Sequence, residues 1–211
     1  MFFMHIHKFF RLILRFSRFI TLFLPSLFWL LLVYGFDETY IAGATVLVAV
    51  VHECGHEAYF FFRQGKASDL RSSLSGFRIK KASNTSYLAD AAIYAAGPAA
   101  NIITGALSLL AVPFSYGYAE LFALVNLVTA FSNLLPIEGY DGYGIINSLL
   151  HHFGKEERFL PALDGISFSL ISSLTFISLY IVTRVGDSYW MAGLFLISLI
   201  REVSKRVNKL F

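Results

Sequence analysis

Apolar residues in this chain run in blocks about 20 residues long, near the length of α-helix that crosses the hydrocarbon core of a bilayer, and short charged or turn-forming stretches separate them. Lipid offers no partner to a backbone N–H or C=O, so blocks of this kind satisfy their own hydrogen bonds as helices. They fall at Ile20 to Phe36, Ile41 to Phe62, Leu88 to Val112, Ala119 to Leu135, Leu160 to Thr183 and Ser188 to Val203. The expected fold class is an all-α polytopic membrane protein, with six transmembrane helices in a single integral-membrane domain over residues 1–211. The last block is short in its apolar stretch, and Pro136 to Phe153 is mixed enough to read as interfacial or re-entrant rather than spanning. Of the 211 residues, 56% are hydrophobic and 15% charged, with a mean hydropathy of +0.63, which leaves little sequence for a separate soluble domain.

Charge sets the expected orientation. The N-terminal tail, the Arg63 to Lys81 loop, the loop with Lys155 and Arg158, and the tail from Arg201 to Lys209 are all basic, and an even number of spans puts them on one side, taken as cytoplasmic with both termini. The pI of about 9.0 does not point to nucleic acid, because Lys and Arg gather at the ends of the apolar blocks instead of along one polar face. Lys8, Arg11, Arg15 and Arg18 precede an apolar run as in a signal peptide, but no small-residue cleavage site follows, so the first span reads as uncleaved. Within the Arg63 to Tyr87 loop, Phe77 and Ile79 alternate with Arg78 and Lys80, a period of two that predicts a short strand or β-hairpin at the cytoplasmic interface. Cys54 is the one cysteine, so neither an intramolecular disulfide nor a multi-cysteine zinc knuckle can form.

Inside the second block the sequence reads Val51-His52-Glu53-Cys54-Gly55-His56-Glu57, which contains H-E-x-x-H. Residues four apart lie one turn apart on the same helix face, so both imidazoles reach one metal ion while Glu53 addresses a water on it. An ionisable side chain in a span costs about 2.5 to 3.5 kcal/mol at mid-helix, so such residues are by default functional or paired. A structural His/Glu cluster bridging helices is the bland alternative. Catalytic zinc takes three protein ligands and keeps one open position, so a third must come from elsewhere. After the fourth block stands Asn133-Leu134-Leu135-Pro136-Ile137-Glu138-Gly139-Tyr140-Asp141-Gly142. Pro136 ends the helix and the two glycines loosen the turn beyond it, so Asp141 can bend back toward the bilayer.

Three motifs in order resemble those of the site-2 protease family of intramembrane metalloproteases: His52-Glu53-Cys54-Gly55-His56, the Gly97-Pro98-Ala99-Ala100-Asn101 element, and Asn133-x-x-Pro136-x-x-x-x-Asp141-Gly142 at full spacing. Together they bracket about half the chain. The resemblance implies one zinc ion per chain held by His52, His56 and Asp141, Glu53 as catalytic proton carrier, and cleavage of a peptide bond within or beside a transmembrane segment of a membrane-protein substrate, as in regulated intramembrane proteolysis. The chain departs from the family in Tyr140 for the usual leucine, in Glu138 where proline is frequent, and in the extra carboxylate of Glu57. No inserted PDZ domain and no C-terminal regulatory domain is evident, and a compact form of this kind fits a prokaryotic cell membrane.

The remaining polar residues carry two readings each. Glu57, four residues after Glu53, is either a partner to the metal ligands or an interhelical hydrogen-bonding group. For Gly97, Pro98 and Asn101 the sequence favours helix packing, small residues allowing close approach and Asn101 hydrogen-bonding across the interface, over a role for Asn101 beside the metal ligands. Asn133 either holds a substrate carbonyl or developing oxyanion or caps its helix. His151 and His152 read as interfacial, the His5/His7 pair as adventitious, and Cys54, two positions from His52, points off the ligand face. Two alternatives to the protease remain: a zinc peptidase whose third ligand is a downstream glutamate such as Glu138, and a non-catalytic pseudoprotease that binds transmembrane partners.

Overall fold

Where the sequence alternates apolar blocks with turns, the backbone alternates helices with short connections. The computed structural model describes residues 41–64, 70–73, 76–79, 86–115, 117–185 and 189–208. The expected first span, the N-terminal tail with His5 and His7, and the parts of the Arg63 to Tyr87 loop beside its strands lie outside these. In chain order the elements are α1 (Ile41–Gln64), β1 (Leu70–Ser73), β2 (Gly76–Ile79), α2 (Tyr87–Ser108), α3 (Tyr118–Asn133), α4 (Asp141–His152), α5 (Glu156–Val185) and α6 (Tyr189–Asn208). A 3-10 helix, Leu109–Phe114, extends α2.

Five of the six expected spans correspond to helices, with ends displaced by a few residues. The mixed stretch after α3 is a turn followed by α4, whose 12 residues are too few to cross a bilayer. The alternating segment is β2, which pairs antiparallel with β1 so that Leu70 faces Ile79 and Ser73 faces Gly76.

Among the described residues, two helices are long and apolar enough to cross a membrane: α2 with its 3-10 extension, 28 residues, and Glu156–Arg184 of α5, 29 residues. The core helix of a soluble protein is mostly buried, yet only 22% of the most apolar window of each is buried here. Ile103, Leu107 and Leu110 of the first and Phe176, Ile177 and Tyr180 of the second point outward, leaving apolar faces of the kind that a bilayer covers.

The chain divides into two compact units. One contains α1, the hairpin, α2 from Ala96 onward and α3 to Ala130; its α3 buries Ala119, Ala123, Asn126 and Ala130, a stripe at helical spacing made mostly of small residues. The other contains the start of α2 with α4, α5 and α6. In it α5 buries Leu163, Ser167, Ile171, Thr175 and Ser178, again one helical face. The Thr175 hydroxyl donates to Ile171 O at 2.7 Å and the Ser178 hydroxyl to Thr175 O at 2.9 Å, so these polar groups are satisfied within their own helix, where small hydroxyl residues let helices pack closely.

Candidate metal centre

In the first unit, α1 buries Val48, His52, His56 and Phe60, a run at intervals of four that forms one stripe along the helix. His52 and His56 are each only 7% exposed. Their Nε2 atoms lie 3.1 Å apart, with the rings edge-on at 84° and centroids 4.7 Å apart. Two nitrogens bound at about 2.0 to 2.1 Å to one tetrahedral zinc stand about 3.3 Å from each other, so the pair is nearly at chelating separation. Glu53 and Glu57 are half-buried on the same helix, and Cys54 is exposed, off the imidazole stripe.

The Gly97-Pro98-Ala99-Ala100-Asn101 element of α2 packs on this stripe. A Cβ at Gly97 would come 2.3 Å from His56 Nε2 and 2.8 Å from His52 Cε1, so the missing side chain is the space the two rings occupy. Asn101, fully buried, places its amide Nδ2 3.2 Å from His52 Nδ1. Close approach at a small residue and an Asn bonding across the interface are what the packing reading of this element expects; the groups met are the imidazoles, with Gly97 against both rings and Asn101 bonded to one of them. Asn101 Oδ1 is buried with no hydrogen-bond partner among the described residues. A half-turn of the amide exchanges its oxygen and nitrogen, so the side chain can accept from Nδ1–H as readily as donate to bare Nδ1. A histidine that gives Nε2 to a metal carries its proton on Nδ1 and needs such an acceptor. The cradle, the orphaned amide oxygen and the two convergent imidazoles fit a metal ion.

In the second unit, the expected third ligand Asp141 is half-buried in the first turn of α4, after Tyr140 in extended backbone at φ −101° and ψ 157°. A Cβ at Gly142 would stand 2.0 Å from Leu134 O, so only glycine lets α4 begin this close to the end of α3. Leu135 N–H to Ser132 O, Ile137 N–H to Leu135 O and Tyr140 N–H to Ile137 O close the turn between the helices. Glu138, the alternative ligand, turns its carboxylate to the Lys205 ammonium of α6. Partial burial pushes the Glu138 carboxyl up, but the hydrogen bonds from Lys205 and with Glu202 and the charges of Lys205 and Arg201 outweigh it and hold it below the usual glutamate value. The Tyr143 hydroxyl donates to Asp164 Oδ1 at 2.7 Å, and burial, then that carboxylate, push its pKa up.

Asn133 is the last residue of α3 and half-buried. His151 has its Nδ1 2.9 Å from Asn147 O and its ring 5.1 Å from that of Tyr87, while exposed His152 packs on Phe153, an ordinary structural surrounding for both. Sequence reasoning missed the cradle at Gly97 and the grip of α6 on Glu138. A glycine opposite H-E-x-x-H and a basic run at the end of the last helix are signals, but neither names its partner.

No family model matches the sequence, and no curated protein matches it. Among solved structures the chain is similar to the site-2 protease from Methanocaldococcus jannaschii, with a TM-score of 0.58 and 19% identity over 88% of this chain and 87% of that one. At that identity the likeness shows a shared fold.

Proposed function

We propose, from the fold shared with a site-2 protease, that this chain is an intramembrane zinc metalloendopeptidase that hydrolyses a peptide bond within or next to a transmembrane segment of a membrane-protein substrate. The observation that carries the reading is the pair of imidazoles on α1, cradled at Gly97 and bonded by Asn101. The donor set we assign from the sequence is His52, His56 and Asp141, two imidazoles and a carboxylate, the number and kind of ligands catalytic zinc takes with one position left open. Lys205 engages the Glu138 carboxylate, which favours Asp141 over Glu138 as the third. Zinc, when bound, supplies Lewis-acid polarisation of a water and of the substrate carbonyl.

The protein's own groups do the rest. Glu53, next to His52 on the same turn of α1, accepts the proton of the attacking water and returns it to the leaving amine. Asn101 fixes the ring orientation of His52 through Nδ1, and Asn133 holds the substrate carbonyl. A helical substrate hides its carbonyls in i to i−4 bonds and must unwind before attack; the edge of the β1–β2 hairpin offers the extended segment backbone partners. The two long apolar helices with outward apolar faces support a bilayer as the medium. Six spans, both termini in the cytoplasm and a prokaryotic cell membrane complete the reading.

The test is zinc content and cleavage of a tethered single-span reporter by purified wild type beside Glu53→Gln. Near one zinc per chain in both, with cleavage reduced at least about 100-fold in the variant, supports the reading. Absent zinc, or cleavage that persists without Glu53, overturns it and leaves a non-catalytic partner-binding protein.

A further inference from the structure

The geometry points to α6 as the element that positions Asp141, through an ion pair between Lys205 and Glu138. This rests on Asp141 being a metal ligand, as proposed above. Glu138 lies three residues before Asp141, and each of its polar groups is held by a neighbouring helix. Its N–H donates to Ser167 Oγ of α5 at 2.8 Å. Its carbonyl accepts from Arg201 Nη2 of α6 at 3.5 Å. Its carboxylate accepts from Lys205 Nζ one turn further along α6. Ile137 beside it is buried, and Tyr140 N–H closes the turn onto Ile137 O at 2.9 Å.

The turn needs such a clamp. Gly139, at φ +99°, lacks the side chain that would restrict its own backbone, and Asp141 follows two residues later. Fixing Glu138 on one side of that glycine, with Gly142 seated against Leu134 O on the other, fixes the backbone from which Asp141 projects. The far end of the clamp is itself tied down: Arg206 lies with its guanidinium 4.4 Å from the centroid of the Phe168 ring and donates to Asp164 O. The last basic turns of α6 thus transmit their position to the start of α4. A half-exposed ion pair adds little to overall stability, so its loss shows in metal affinity more than in folding, which separates positioning from a merely structural role.

The experiment uses the full chain in detergent. Zinc affinity by chelator competition and thermal unfolding of the zinc-free protein are measured for wild type, Glu138→Gln, Lys205→Gln and the exchanged pair Glu138→Lys with Lys205→Glu. Each single variant is expected to bind zinc about tenfold more weakly, the lower end of what outer partners of metal ligands contribute, with zinc-free unfolding lowered by no more than about 1 to 3 °C, and the exchanged pair to recover to within about threefold of wild type. Single variants that bind zinc as wild type does would overturn the positioning role while leaving the metal site standing. A weakening matched by an equal loss of zinc-free stability would reduce the pair to a structural contact. Should the single variants not fold, the exchanged pair decides alone: affinity near wild type supports the clamp, and weak affinity in a folded protein refutes it. A wild type that binds no zinc removes the metal reading and this inference together.

Discussion

Replacing Gly97 with alanine tests the imidazole cradle at the smallest scale available, one methyl group. The added Cβ would stand 2.3 Å from His56 Nε2, 2.6 Å from His56 Cε1 and 2.8 Å from His52 Cε1, against ordinary contacts of 3.4 to 4 Å. His56 Nε2 must therefore retreat by about 1 Å, whereas metal–ligand distances tolerate only about 0.2 Å. Both rings are buried on a stripe between Val48 and Phe60, so neither retreats freely. The expected loss of zinc affinity is at least about 100-fold, or about 2.7 kcal/mol. Glycine to alanine inside a helix otherwise stabilises by roughly 0.5 to 1 kcal/mol, so misfolding is not the expected cause. Gly43→Ala is the control, because among the described residues nothing lies within 4 Å of the Cβ it would add. The assay is chelator competition on purified full-length protein, with reporter cleavage alongside. A Gly97→Ala protein that holds zinc within threefold of wild type and still cleaves would refute the cradle.

Further expectations follow from the same geometry. Asn101→Leu removes the bond to His52 Nδ1 and should weaken zinc binding about 10- to 100-fold, whereas Asn101→Asp keeps an acceptor and should lose less; equal affinities for wild type and the leucine variant in chelator competition would show that the amide merely packs. Glu138 has its folded-state pKa held below the ordinary glutamate value of 4.5, so the stability its charge contributes is present above about that pH and lost as pH falls through the folded value. The groups facing it are Lys205, Arg201 and Glu202 from α6 and Tyr143 from α4. In zinc-free protein, wild type should melt about 1 to 3 °C above Glu138→Gln at neutral pH, with the gap closing at lower pH. A gap that widens on acidification would reverse the sign of the argument.

Much of the fold is legible locally. Apolar blocks near span length become helices because a backbone in an apolar medium must bond to itself, and α1, α2, α3, α5 and α6 start and stop close to the block edges. His52 and His56 share a face because 3.6 residues make a turn, a property of the chain and independent of its neighbours. The alternation at Phe77 to Ile79 gives β2, although the register that pairs it with Leu70–Ser73 depends on a strand with no such alternation to announce it.

What the sequence determined by itself is the helix that aligns His52 with His56 and the turn that precedes Asp141, since helical periodicity and the break at Pro136 are written in covalent geometry. What only the tertiary structure decided is which groups surround those donors. Asn101 meets His52 across 49 positions of sequence and Lys205 meets Glu138 across 67, and either contact would vanish if one helix turned by a fraction of its circumference. That rotation is set by the packing of whole faces, Gly97 under two imidazoles and Ser167 under the turn that leads to Asp141. No local pattern encodes it, because each residue in such a contact is indifferent, on its own helix, to what the other helix brings.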